Sequence, residues 1–174
     1  MKFFWKVSFF ILVCASLTIG QPHSRHTLLE AIVTGAGMVQ LPGEHLYVRL
    51  YSNGEVEYKD QVIKKATPKY VIRWAKLSKT ELRKLQEFLQ SSSVQSLESN
   101  YPSLRPPLDH VLELSISIMD RKPSKTIVIT NFSPTSPKAA KSYPPSLIEL
   151  MCKIEHLRKN SSISVTADTK EWCK

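Results

Sequence analysis

The sequence predicts an α+β domain: a two-layer sandwich in which an antiparallel sheet of about five strands carries two helices packed on one face. Alternation of apolar and polar residues at 46–51 and at 110–119 has the period of half-buried strands. Each run is joined by a turn signal to a second alternating run, so these strands pair as hairpins. Residues 82–89 and 147–157 instead repeat apolar side chains at helical spacing, each forming one stripe that needs a sheet or another helix to cover it.

In chain order, residues 28–34 have the apolar and β-branched content of a first strand, which Gly35-Ala36-Gly37 is expected to end or bend. Two glycines one residue apart also hint at phosphate binding, but no third glycine and no helix follow, so that reading is set aside. Leu46, Val48 and Leu50 then alternate with Tyr47, Arg49 and Tyr51. Asn53-Gly54 tolerates the positive φ angles of a type I′ turn, and residues 55–59 alternate again. A hairpin over 46–59 follows, with Val56 and Tyr58 on its inner face. Residues 70–77 form a further strand rich in aromatic and β-branched side chains. Its alternation sets Tyr70, Ile72 and Trp74 on one face, expected to be buried, and Val71, Arg73 and Ala75 on the other, expected to be solvated.

Ser78-Lys79-Thr80-Glu81 reads as a capping box, with Leu77 and Leu82 placed as a hydrophobic staple. Leu82, Leu85, Phe88 and Leu89 continue the helix, which is expected to end at 91–93. Pro102, Pro106 and Pro107 make residues 98–109 a stiff connector. A second hairpin spans 110–132, with a turn at 120–124 and with Ile127 and Ile129 inward. Four prolines mark 133–145 as an exposed loop. A last helix over 146–159 has Leu147, Leu150, Met151, Ile154 and Leu157 on its apolar stripe and Arg158 and Lys159 where the helix dipole favours cations.

The chain begins with Lys2 and Lys6, an uncharged apolar run at 7–19, and small residues at Thr18-Ile19-Gly20. This is the pattern of a secretory signal peptide cleaved before Gln21. The chain then divides into a signal peptide at 1–20, a single α+β domain at 21–159 and a polar tail at 160–174. The apolar run is shorter than the ~17–25 residues a spanning helix needs, so no stable membrane insertion is expected. An uncleaved anchor reaching back to Phe3 across Lys6 is the weaker alternative. The expectation is a secreted, extracellular monomer.

The chain carries 24 Lys and Arg against 15 Asp and Glu, a net +9 that becomes +7 when Lys2 and Lys6 leave with the leader. That surplus favours an extracellular polyanion or an acidic protein as partner; nucleic acid fits electrostatically, but an exported chain seldom meets it. The densest basic stretch includes Lys64, Lys65, Lys69, Arg73 and Lys76, interleaved with Tyr70 and Trp74. A solvated charged face is the plainer reading of the same residues.

Cys14 lies in the leader, leaving Cys152 and Cys173. In an oxidising compartment this pair is expected to bond internally, closing a loop of about twenty residues worth roughly 3 kcal/mol on the chain-entropy model. A buried free Cys152, with Cys173 pairing between molecules, is the alternative. Asn160-Ser161-Ser162 and Asn131-Phe132-Ser133 both fit the acceptor pattern for N-linked glycan. Pro134 weakens the second, and Asn160 is the more accessible by its place past a helix end.

Catalytic signatures are weak. Cys152 and His156 are four apart on one helix, but two ligands do not make a zinc site, and a disulfide removes the thiolate. Asp109-His110 with Asp60, Asp120 or Glu113 is an imaginable acid–base set that nothing in the sequence brings together. His23, His26 and His45 show no ligand spacing, and no nucleophile elbow, zinc-helix or nucleotide-loop motif occurs. No catalytic, cofactor-binding or metal residue is therefore expected.

The Tyr-Ser-Asn-Gly-Glu-Val-Glu-Tyr hairpin, the Leu-Ser-Lys-Thr-Glu-Leu helix start and the Tyr-Pro-Pro-Ser-Leu helix entry resemble, in layout, small α+β domains of unknown function in exported bacterial proteins. That resemblance implies no activity. The Gln-x-Val-x-Gly loop of cystatin-like inhibitors is missing, and their helix precedes the main hairpins. The sequence thus points to a secreted, non-enzymatic binding protein, with a small secreted hydrolase as the alternative.

Overall fold

The structure is a computed structural model describing residues 25–37, 43–64, 67–104, 110–120, 122–133, 139–158 and 173. In chain order its elements are β1 (Thr27–Gly37), β2 (Gly43–Tyr51), β3 (Glu55–Lys64), β4 (Thr67–Lys76), α1 (Lys79–Gln90) and α2 (Ser92–Gln95). After these come β5 (Asn100–Tyr101), β6 (His110–Ile118), β7 (Lys125–Thr130), α3 (Ala139–Ser142) and α4 (Pro145–Leu157). The strands form one 7-stranded sheet in the order β4-β3-β2-β1-β6-β7-β5. Neighbours are antiparallel except β5, which lies parallel to β7.

The α+β class holds, with a sheet larger than the five or so strands expected. The parallel strand β5 sits inside the proline-rich connector, its Asn100 and Tyr101 opposite Val128 and Ile129. Two residues are too few to display a period, so only the tertiary contact defines this strand. Nor do the glycines stop β1: Gly35 and Gly37 stand opposite Leu112 and His110 of β6.

Register explains the core. One row across the sheet reads Val56, Leu50, Leu29, Ile118; the next reads Tyr58, Val48, Ala31, Ile116, Ile127; a third reads Val33, Leu114, Ile129. All of these side chains are buried, and they join Leu85 and Leu89 of α1 and the α4 stripe of Leu147, Leu150, Met151, Ile154 and Leu157 in one hydrophobic cluster. A fully buried side chain of this size contributes roughly 1.5–3 kcal/mol, so burial on this face outweighs any single polar contact.

The β1–β2 pairing breaks register twice, at Leu28 and at Tyr47. Each is a β-bulge, which sets an extra residue into one strand and turns two neighbours toward the same side. Leu28 and Leu29 are both fully buried, and so are Tyr47 and Val48, at 2% and 0% exposed. Strict alternation would have left Tyr47 on the far side.

The β2–β3 hairpin forms where expected, but its turn is not type I′. Asn53 has a negative φ, Gly54 alone is positive at φ 82, and the Gly54 amide donates to the Tyr51 carbonyl at 2.9 Å. This is a three-residue loop, a turn followed by a left-handed glycine, braced by the Glu55 amide donating to Asn53 Oδ1 at 3.0 Å. Gly54 also touches the start of α1: its carbonyl accepts from the Leu77 amide at 2.9 Å. Beside it the capping box closes as expected, with Ser78 N donating to Glu81 Oε2 at 2.8 Å and Glu81 N to Ser78 Oγ at 3.2 Å.

Residues 133–145 are not simply an exposed loop. Phe132, Ser133, Ala139 and Tyr143 are buried, and the Phe132 and Tyr143 rings lie 5.1 Å apart. The prolines exclude a long element without deciding burial. Asn131, the lesser glycan acceptor by sequence, adopts φ 48 and completes the β6–β7 ladder. Its amide donates to the Leu112 carbonyl at 2.7 Å and its Oδ1 accepts from the Leu112 amide at 2.8 Å.

A Cβ at Gly54 would sit 3.3 Å from the Leu77 carbonyl oxygen, on a backbone conformation that side chains disfavour. Gly54→Ala is therefore expected to destabilise the protein by at least about 1 kcal/mol, read as a lower urea midpoint with an unchanged slope.

Candidate functional site

Strand β4 ends the sheet, and its two sides differ. Val56 and Tyr58 of β3 face the core, and they stand opposite Ala75 and Arg73. Partners across a ladder share a face, so Lys69, Val71, Arg73 and Ala75 lie on the helix side and Tyr70, Ile72, Trp74 and Lys76 on the other, which is bare among the described residues. This reverses the expectation that the aromatic face is buried: Ile72 is 49% and Trp74 53% exposed. Apolar character alone misassigns the face, because β3 dictates the phase of β4 and, among the described side chains of the strand, Ala75 is the one that packs on the core.

On the bare side the Tyr51 and Trp74 rings are nearly parallel, with centroids 6.2 Å apart. The Arg25 guanidinium lies over both, 3.7 Å from the Tyr51 centroid and 4.7 Å from that of Trp74, while its Nη1 is 3.3 Å from Glu55 Oε2. Next to them Arg49 pairs with Glu30 and, at 3.4 Å, with Glu57, which also accepts from the Tyr51 hydroxyl at 2.7 Å. These cations are already matched by carboxylates. Farther along, Lys59 Nζ approaches His45 Nδ1 at 2.6 Å and sits 4.6 Å from the Tyr70 centroid. Burial lowers the Lys59 pKa. A charged Lys59 has only protons to give, so His45 Nδ1 accepts.

The expected basic surface is split. Lys69 and Arg73 occupy the helix side of β4 and Lys76 the bare side, all three exposed. Arg73 also reaches Asp60 Oδ2 at 3.5 Å. Of Lys64 only the backbone is described, and Lys65 lies outside the described residues. What unites the described cations is the edge strand that they straddle, not a common face.

A second polar cluster stands on the core side. The bulge at Tyr47 brings its ring beneath Arg158, whose guanidinium carbon is 3.6 Å from the centroid, and its hydroxyl donates to Glu155 Oε1. Arg158, 2% exposed, pairs with Glu155 Oε2 at 3.4 Å and donates to the Lys59 carbonyl at 3.4 Å. By sequence Arg158 reads only as a dipole cation of the last helical turn, and the three-residue spacing from Glu155 is the available signal for the pair. Tyr47 gives no such signal, since only the bulge turns it inward. Burial raises the Glu155 pKa, an effect partly offset by Arg158 and by the Tyr47 hydrogen bond.

The other sequence candidates are dispersed. Cys152 and Cys173 stand at disulfide distance, Cα–Cα 5.2 Å, while His156 is exposed. Asp60 is with Arg73, Asp120 accepts from Gln90 Nε2 at 2.9 Å, and Glu113 lies opposite Thr130. Asp109, Asn160 and the leader fall outside the described residues, and of His110 only the backbone is described. Among the described residues no group of three or more His, Cys, Asp or Glu is placed to hold a metal ion, and no helix is long and apolar enough to cross a membrane. A cleft of about 390 Å³ opens between Tyr101, Lys141, Tyr143 and Ser146 at the start of α4.

The raised Glu155 pKa gives a pH dependence opposite in sign to that of an ordinary paired carboxylate. The folded protein holds this proton more tightly than the unfolded chain, so the contribution is full below the usual carboxylate range near 4.5 and falls as pH rises through the elevated value. Glu155→Gln is therefore expected to destabilise most in acid, with the gap in Tm to wild type narrowing as pH is raised toward neutrality. A gap that widens with pH would contradict this assignment.

No protein-family model matches the chain, and no curated protein matches it.

Proposed function

We propose that this is an exported binding protein that engages an anionic partner along strand β4. The observation that carries the reading is the conjunction, on one edge strand, of two half-exposed apolar side chains, Ile72 and Trp74, with Lys69, Arg73 and Lys76. Exposed apolar side chains grouped together and rimmed by polar residues are a feature of interaction surfaces. The neighbouring cations Arg25 and Arg49 are matched by Glu30, Glu55 and Glu57, whereas Lys69 and Lys76 of β4 are exposed.

Export is supported by the leader pattern at 1–20 and by the Cys152–Cys173 pair, whose spacing suits a disulfide on α4. Of the two glycan acceptors, Asn160 is the one we propose is used, because the Asn131 side chain is engaged by Leu112. Intact-mass analysis of material from the culture fluid of expressing cells is expected to give a chain starting at Gln21, two hydrogens lighter than the reduced form. A retained leader with both thiols free would overturn the secreted reading.

Binding is tested on a heparin column. Lys69→Glu/Lys76→Glu is expected to elute at clearly lower salt than Lys79→Glu/Lys84→Glu, a pair on α1 with the same change in net charge. Equal elution of the two variants would place the anion contact elsewhere.

A further inference from the structure

The two edges of the sheet are unlike. At one end β5 has only 2 residues, while at the other β4 has 10, in continuous register with β3 from Glu55↔Lys76 to Lys64↔Thr67. Of the usual means of blunting an edge, β4 lacks short length and bulges but carries Lys69, Arg73, Lys76 and, near its start, Pro68; from Lys69 to Lys76 every residue keeps its amide. Alternate residues of a strand direct their amide and carbonyl groups away from the existing partner, so β4 offers a row of backbone donors and acceptors along its outer edge. Among the described residues no strand takes them up.

Building on the proposed anion-binding role, we infer that β4 receives an extended acidic segment of another protein as an added strand. Side chains of an added strand share faces with those of β4. On the helix side the newcomer meets Lys69 and Arg73, four residues apart, with Val71 between them. On the bare side it meets Ile72 and Trp74, which are 49% and 53% exposed. The segment that fits is therefore alternating: Asp or Glu on one face, β-branched or aromatic on the other. A second copy of this chain paired about Val71 would set Lys69 opposite Arg73, like charge against like charge. A sulfated glycan satisfies the cations but leaves both the apolar pair and the backbone row unused.

The test uses the mature full chain and an acetylated alternating peptide of four Glu-Val repeats, with binding followed by calorimetry at low salt. A block peptide of identical composition, with all its glutamates first and all its valines after them, is expected to bind about tenfold more weakly, a difference of one decade in Kd. Two further versions of the alternating peptide carry backbone N-methyl groups, one on its glutamates and the other on its valines. Strand addition requires that one of them lose binding by about tenfold or more while the other retains it, since only one set of amides points at β4. Lys69→Glu/Lys76→Glu should also weaken the unmodified peptide, and circular dichroism of that variant verifies its fold. Equal binding of both methylated peptides, with charge reversal still effective, would overturn strand addition and leave the anion-binding role standing. Heparin retention without any peptide binding would replace the acidic segment by a glycan. Loss of neither interaction on charge reversal would remove both readings.

Discussion

The apolar rows of the sheet all face α1 and α4, and β1, the central strand, has to satisfy this against two neighbours at once. Its ladder with β6 is continuous from Leu29↔Ile118 to Gly37↔His110. With β1 thus fixed in phase, the mismatch with β2 is absorbed by the bulges at Leu28 and Tyr47. Both place consecutive residues in the core, and the second has a consequence beyond packing. It delivers Tyr47 to the last turn of α4, where Glu155 and Arg158 gather around it. The bulge therefore ties one end of the sheet to α4 as well as filling the core.

The parts of this architecture legible in the sequence are those fixed by local chemistry. The Ser78–Glu81 box and the helical stripes rest on contacts within a few residues and are present, and the alternation at the end of β6 appears as the buried row Leu114, Ile116 and Ile118. The parts that were not legible depend on a distant partner. The bulge residue Tyr47 reads as outward by alternation, β5 is shorter than any period, and the turn at Asn53-Gly54 is engaged from outside the hairpin, where the Leu77 amide donates to the Gly54 carbonyl. Even the proline-rich stretch before α4 carries buried Tyr143, whose amide donates to the Ala139 carbonyl of α3 at 2.8 Å and whose ring lies against Tyr101 and Phe132.

The candidate site was half legible for the same reason. Its residues stand out in the sequence as cations interleaved with aromatics, but which of them share a face depends on the register with β3. Glu57 stands opposite Trp74 and Lys59 opposite Ile72, so the aromatic side falls with the charged, bare side of β3. The cation pairing was likewise hidden: Arg25 and Arg49 look as basic in sequence as Lys69 and Lys76, yet only the folded sheet sets Glu30, Glu55 and Glu57 against the first two. Net charge overstates the surface available to an anion, and pairing decides where the remainder lies.

This separation also decouples binding from stability. The helical layer reaches β4 through Ala75 and its following residue Leu77, while the outer half of the strand is held by the ladder to β3. Exposed side chains such as Lys69 and Lys76 contribute little to folding, because surface substitutions away from caps, cores and networks stay within about 0.5 kcal/mol. An edge strand so placed is free to evolve side-chain pattern without disturbing the core rows from Val56 to Ile118. Arg73 is the exception, since its contact with buried Asp60 couples it to the fold. Apart from Arg73, the exposed side chains of β4 are thus separate from the interactions that hold the protein together.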